Sequence, residues 1–171
     1  AGVRIDYSSG PADWETGRRI WEARGLLDER FMLLYSDNYV PVNVDKLTTV
    51  HLSQSGAVTL LLHPKKDGNI RLGGDGRVAS YDASRSAPGL DHVEIGYMVV
   101  ERDPVLAEFT EPNISFSCIL EQLTVRGRVA GLVSHDPYHS ISDVTRWALT
   151  ERYFAMKRIL MLDRDGTLNE R

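Results

Sequence analysis

The chain has 171 residues, 42% hydrophobic and 26% charged, an ordinary globular composition that argues against disorder. That length holds one domain with a real core, or one domain plus a piece of another. The net charge is -4, with 20 basic and 24 acidic residues mixed along the chain, so there is no basic block to grip nucleic acid and no basic amphipathic stretch to anchor on a membrane.

In chain order, residues 3–7 (VRIDY) read as a short strand and 8–13 (SSGPAD) as a turn cluster. Residues 14–27 read as a helix with Ile20, Ala23, Leu26 and Leu27 on one face. The run 31–35 (FMLLY) is continuously apolar between charged flanks, the pattern of a buried strand covered on both faces. A helix is expected over 45–53 and a second buried strand over 57–63 (AVTLLLH). The Gly-rich turns of 67–76 (DGNIRLGGDG) enclose a short strand and suggest a hairpin. Strands over 78–81 and 93–100 follow, then helices over 104–108 and 117–126. A strand over 128–134, a helix over 144–156 and a last strand over 158–163 (RILMLD) complete the reading. Strands alternate with helices, which predicts an α/β fold with a mostly parallel sheet. No linker separates the helix of 144–156 from the strand of 158–163, so the expected domains are 1–156 and 157–171.

The apolar runs at 31–35 and 58–62 are too short to span a bilayer, and no signal peptide is visible. The single cysteine, Cys118, excludes an internal disulfide framework and suits a reducing compartment, the cytoplasm. The chain begins at Ala1 directly before a strand-like run and stops at Arg171 just after another, as expected of a piece of a longer reading frame.

The run FMLLY leads into Ser36-Asp37-Asn38-Tyr39. Ligands of open α/β sheets bind outside the carboxyl ends of strands, and a carboxylate placed there suits Mg²⁺ and substrate phosphates. Asp and Asn also favour turns for purely local reasons, so both readings of Asp37 stand at this point. Residues 24–42, RGLLDERFMLLYSDNYVPV, resemble the central segment of sugar-phosphate nucleotidyltransferases, which join a sugar 1-phosphate to a nucleoside triphosphate and release pyrophosphate. The resemblance covers residues 1–155 and implies a Rossmann-like sheet lacking its N-terminal part. It makes Asp37 the residue that holds catalytic Mg²⁺, with Asn38 beside it. Trp14-Glu15-Thr16-Gly17 resembles the family's turn near base and sugar, which nominates Glu15, Thr16 and Gly17 for substrate binding. Residues 73–81 (GGDGRVASY) resemble the stretch before the sugar-contacting loop, and 93–97 (VEIGY) its Gly-aromatic strand, which nominates Gly96 and Tyr97.

Three departures accompany the likeness. The family's Gly-rich, cationic triphosphate loop does not precede Ala1, so this chain on its own is expected to be inactive. The family's second metal carboxylate, in an Asp-x-Gly-Thr motif, aligns with Ser140; Asp143 stands nearby and is either the second metal ligand or the N-cap of the following helix. The family's phosphate-binding lysine after Tyr81 has Arg85 as its nearest cation. The implied partners are a nucleoside triphosphate and a sugar 1-phosphate, with no nucleic acid and no membrane; self-association is compatible with the reading.

The last fifteen residues, KRILMLDRDGTLNER, contain Asp163-Arg164-Asp165-Gly166-Thr167. In an extended chain Asp163 and Asp165 point the same way, toward one phosphate and one Mg²⁺, and Gly166 permits a sharp turn. The stretch resembles the first motif of haloacid dehalogenase-like phosphatases, in the branch acting on heptose bisphosphate and histidinol phosphate. The resemblance makes Asp163 the nucleophile that forms an aspartyl phosphate, Asp165 the general acid/base, and both Mg²⁺ ligands. The strand at 158–163 would then be the first of a second α/β domain. An alternative gives the phosphatase the chemistry and residues 1–156 a scaffolding role. His135, Asp136 and His139 have a spacing metal sites sometimes use but read as surface residues of a polar loop; the tryptophans read as packing against the sheet.

Overall fold

A computed structural model of the chain describes Gly2 and residues 4–155. The strand expected at 158–163, the boundary at 157, and Asp163 and Asp165 lie outside the described residues. In chain order the elements are α1 (Thr16–Ala23), β1 (Arg30–Leu34), β2 (Asn38–Tyr39), α2 (Val44–Gln54), β3 (Val58–Pro64), β4 (Ile70–Leu72), β5 (Val78–Tyr81), β6 (His92–Glu101), α3 (Arg102–Leu106), α4 (Phe116–Val125), β7 (Val129–Val133), β8 (His139–Ser140) and α5 (Val144–Ala155). They fall into two compact units, the larger built from the residues up to Ser36 with Val40–Tyr138, the smaller from Asp37–Tyr39 with the described residues from His139 onward.

The larger unit carries a six-stranded sheet in the order β5-β4-β6-β3-β7, with β1 also paired to β6. Strands β3 and β7 are parallel, while β1, β3 and β4 each pair antiparallel with β6. The strands β1, β3, β4 and β7 therefore share one direction, and the long β6 runs against them. The α/β architecture is the expected one. Its hydrogen-bonded neighbours are nonetheless mixed, because β6 lies between strands that point the same way.

Alternation along β3 explains the two-layered core. Leu60 and Leu62 enter a cluster with Ile20, Met98, Phe116, Ile119 and Leu123, while Leu61 turns to the opposite face with Val40, Val93, Ile95 and Tyr97. Both faces of β3 are thus covered, as its apolar run predicts. Each fully buried leucine contributes about 1.5–3 kcal/mol. Helix α2 starts on the Asn43 side chain, whose Oδ1 accepts the Lys46 N–H at 2.8 Å. It is fastened to the sheet by His51, 1% exposed, with Nδ1 2.9 Å from Thr59 Oγ1 and Nε2 2.9 Å from Glu101 Oε1. Helix α4 starts in the same way on the Ser115 hydroxyl. The β4–β5 hairpin turns through Gly73 to Arg77, with Gly73 N–H donating to Arg77 C=O at 2.8 Å, so the hairpin is real but its second strand is 78–81.

Two expectations need correction. FMLLY is not covered on both faces: among the described residues β1 pairs on one side only, and Leu34 is 51% exposed. An apolar run reports burial somewhere in a protein, and an edge strand with one packed face reads the same. Residues 4–7 form no strand, and Ile5 and Tyr7 are exposed. Alternation alone makes no strand without an edge to pair with.

In the smaller unit β2 and β8 form an antiparallel ribbon, Asn38 opposite Ser140 and Tyr39 opposite His139. The Ile141 N–H extends the ribbon by donating to the Asp37 carbonyl at 2.8 Å. Helix α5 packs on it through aromatic rings: His139 stacks on Tyr153 at 3.9 Å and Tyr39 meets Phe154 edge-on at 4.8 Å.

Candidate functional site

The larger unit assembles a polar cluster around the half-buried Glu94 of β6, against the buried Tyr81 and Asn69. Its neighbours in the strand are apolar, and Glu94 is held where β6 breaks its register with β3, between the pairs Leu60–Met98 and Leu62–Glu94. Gly96 makes that break possible. Its φ is +76°, and a Cβ there would stand 2.7 Å from the Tyr35 side chain. The Glu94 N–H donates to Asn69 Oδ1 at 3.1 Å, and the carboxylate takes hydrogen bonds from the Gly96 N–H, the Tyr81 hydroxyl and Asn69. Its Oε2 is buried with no hydrogen-bond partner among the described residues. Burial pushes the Glu94 carboxyl above the ordinary carboxylate range, against the pull of Gly96 and of the Arg85 charge. Burial, and then the Glu94 charge, push the Tyr81 hydroxyl upward as well.

Arg85 stands exposed beside this cluster, on a loop that Asp82 organises. The Asp82 carboxylate accepts the N–H groups of Ser84 (2.8 Å), Ser86 (2.9 Å) and Ala87 (2.8 Å) and both serine hydroxyls. These bonds hold its carboxyl well below the usual range, the Ser84 hydroxyl first among them. The loop therefore presents Arg85, at φ +59°, in one defined conformation. Gly96 and Tyr97, nominated from sequence, lie on the same strand as Glu94. Glu94, Tyr81 and Asn69 were missed. The available signal was a lone carboxylate inside an otherwise apolar strand.

Glu15, Thr16 and Gly17 serve the docking of α1 on the start of α4. The Glu15 N–H donates to Asn113 Oδ1 at 2.9 Å, and Thr16 Oγ1 accepts the Phe116 N–H at 2.9 Å. A Cβ on Gly17 would lie 2.5 Å from the Ile114 carbonyl. These contacts account for Thr16 and Gly17, while Glu15 contributes its backbone N–H.

In the smaller unit Asp37 sits half-buried in the turn before β2, with Asn38 next in the ribbon. Asp143 caps α5, its Oδ1 accepting the Arg146 N–H at 2.8 Å. Ser140, at the position of the expected second carboxylate, is 6% exposed, and its Oγ accepts from Arg146 Nη1 at 3.0 Å. Of the two positions weighed for the second Mg²⁺ ligand, Asp143 thus serves as a helix cap and Ser140 is bonded to the Arg146 guanidinium. Among the described residues no group of three or more His, Cys, Asp or Glu side chains is arranged to hold a metal ion, and no helix is long and apolar enough to cross a membrane. That also leaves His135, Asp136 and His139 without a metal-binding arrangement.

No family model matches the sequence, and no curated protein matches it. Solved structures do match the fold. HddC from Yersinia pseudotuberculosis superposes with a TM-score of 0.66 at 14% identity, over 85% of this chain and 64% of its own, and has also been solved with GMP-PN. A Bacillus anthracis protein assigned as a glucose-1-phosphate thymidylyltransferase, solved with sucrose, gives 0.75 at 11% identity, over 95% of this chain and 68% of its own. A UDP-glucose pyrophosphorylase complexed with UDP-glucose gives 0.69 at 13% identity, over 86% of this chain and 64% of its own. This chain therefore spans about two-thirds of the length of the proteins it resembles. Similarity at such low identity speaks to architecture, and the architecture is the Rossmann-like α/β fold of these structures.

Proposed function

We propose that the protein acts in nucleotidyl transfer from a nucleoside triphosphate to a sugar 1-phosphate, and that the larger unit described above supplies the sugar end of the site. The observation that carries this reading is the Glu94 cluster. A carboxylate held in a sheet by Tyr81, Asn69 and the Gly96 N–H, with one oxygen unmet, is the kind of group that accepts hydrogen bonds from hydroxyls. The exposed Arg85 beside it suits the phosphate of the same molecule. The fold shared with a glucose-1-phosphate thymidylyltransferase and a UDP-glucose pyrophosphorylase supports the reading.

In such a transfer an oxygen of the sugar phosphate forms a bond to the α-phosphorus. The bond from that phosphorus to the β-phosphate oxygen breaks, and pyrophosphate leaves with the electron pair. The protein's share is to position the two substrates and to offset charge. Glu94, Tyr81 and Asn69 orient hydroxyls, and Arg85 holds the acceptor phosphate. The likeness covers 64% of the neighbours' length, and the activity is proposed for the full-length protein.

The test is pyrophosphate release by the full-length protein with a panel of hexose and heptose 1-phosphates and each nucleoside triphosphate. Release that depends on one sugar phosphate and falls at least tenfold in Glu94→Ala supports the reading. No release with any pair refutes it. A second reading rests on the stretch 162–169 (LDRDGTLN): residues 157–171 begin a phosphatase with Asp163 as nucleophile and Asp165 as acid/base, and residues 1–156 are its scaffold. Hydrolysis of a sugar bisphosphate by the full-length protein, lost in Asp163→Asn, would favour it.

A further inference from the structure

The loop of residues 82–91 is stiff within itself. The N–H groups of Ser84, Arg85, Ser86 and Ala87 all turn onto Asp82, Arg85 onto its carbonyl at 3.1 Å and the other three onto its carboxylate. Both ends of the loop are tied to the β4 side of the sheet. The Asp82 N–H donates to the Asn69 carbonyl at 2.8 Å, one rung beyond the Ile70–Tyr81 pair, and the Asp91 N–H donates to the Ile70 carbonyl at 2.9 Å. Two ties to neighbouring residues of one segment define an axis and leave the tilt about it open. A third tie lies off that axis. The Ala83 N–H points away from the Asp82 turn and donates to Glu121 Oε1 of α4 at 3.2 Å. Helix α4 is a firm support, since Phe116, Ile119, Leu120 and Leu123 are buried in one cluster with Val78 and Tyr81 of β5.

We propose that Glu121 is a positioning residue: its carboxylate sets the tilt of loop 82–91 against α4, and so fixes where the Arg85 guanidinium meets the phosphate of a sugar 1-phosphate bound at Glu94. The inference rests on the sugar-phosphate reading for its ligand. Arg85 lies two residues beyond Ala83, at the end of a long side chain, so a small tilt of the loop becomes a larger movement of the guanidinium. Guanidinium–phosphate pairs are directional, and a displacement of about 1 Å is enough to cost much of what they contribute. The sign of the effect separates two roles for Glu121. Acting through its charge alone, a carboxylate near an anion site weakens phosphate binding, and its removal helps. Acting through the loop, its removal weakens binding. The Glu121 charge also reaches the Tyr81 hydroxyl, so the sugar end of the ligand is read separately from the phosphate end.

The test titrates hexose and heptose 1-phosphates, and the corresponding free sugars, into the isotopically labelled chain and follows backbone amide shifts. Glu121→Ala is expected to weaken the sugar 1-phosphate at least about fivefold and to leave the free sugar within about twofold of wild type. Glu121→Gln recovers most of the loss, because its Oε1 still accepts the Ala83 N–H. In an Arg85→Ala background, Glu121→Ala causes no further loss, since the two act as one unit. The amides of Ala83 to Ala87 lose order in Glu121→Ala by heteronuclear relaxation, while those of α4 and β5 keep theirs. Unchanged or tighter sugar-phosphate binding in Glu121→Ala overturns the inference and leaves the sugar-phosphate reading standing. So does an equal loss for the free sugar, a full further loss in the Arg85→Ala background, or weakened binding with loop order unchanged. No binding of any sugar 1-phosphate by wild type overturns that reading and this inference with it.

Discussion

Replacing Gly96 by alanine tests whether the register break in β6 is what holds Glu94. Gly96 has φ +76°, and an added Cβ would lie 2.7 Å from both the Cβ and the ring of Tyr35. Tyr35 cannot simply swing aside, because the clash reaches its Cβ and its N–H donates to the Gly96 carbonyl at 2.8 Å. The left-handed conformation costs an L-residue about 1–2 kcal/mol. Forcing a methyl into a packed contact adds about 1–3 kcal/mol. The sum is about 2–5 kcal/mol, which for a chain of this size lowers Tm by on the order of 10 °C. Gly89 supplies the control: its φ is +77°, but a Cβ there meets nothing within 4 Å. Gly89→Ala should show the conformational cost alone. Differential scanning calorimetry of the two variants separates the terms. Equal losses at the two positions would mean that Tyr35 does not press on Gly96, and the account of the register break would fail.

Other consequences follow from the charges and caps. The Glu94 carboxyl is raised by burial, so its contribution to stability is present below the unfolded carboxylate range and lost as pH rises through its folded value. Glu94→Gln should therefore gain Tm over wild type as pH goes from 4 to 8; a gap that does not change with pH would contradict the burial argument. Glu101 behaves oppositely. Burial pushes its carboxyl up, but the His51 and Arg30 hydrogen bonds outweigh that and hold it below the usual range. Its contribution is present above the unfolded value and lost in acid, so Glu101→Gln should be destabilised at pH 7 and the loss should vanish toward pH 3 in thermal melts. Asp143→Ala should cost about 1 kcal/mol through the lost cap, and Asp143→Asn much less, because Asn caps equally well. Equal losses by urea denaturation would show that charge rather than capping matters there.

How much of this was legible beforehand depended on the kind of signal. The strand over 78–81 and the helices α2, α4 and α5 were visible within a residue or two, because apolar spacing and Asn, Ser or Asp caps are local. The edge position of β1 was not, since the run FMLLY reads the same at an edge as in the middle of a sheet. Nor was the antiparallel insertion of β6: strand direction is set by which distant segments meet, and alternation says nothing of it. Among the candidate residues, Asp37 and Gly96 stand out in the sequence as a carboxylate after an apolar strand and a glycine before an aromatic residue. Glu94 lies inside the stretch 93–97, but only the fold shows its carboxylate set against the buried Tyr81 and Asn69.

The central claim is that the Glu94 cluster receives a sugar 1-phosphate. The most direct measurement is a titration of the isotopically labelled chain with hexose and heptose 1-phosphates, followed through backbone amide shifts. The account expects saturable shifts centred on Asn69, Tyr81, Arg85, Glu94 and Gly96, lost in Glu94→Ala while the fold is kept. Shifts confined to other parts of the chain, or unchanged in Glu94→Ala, would contradict it.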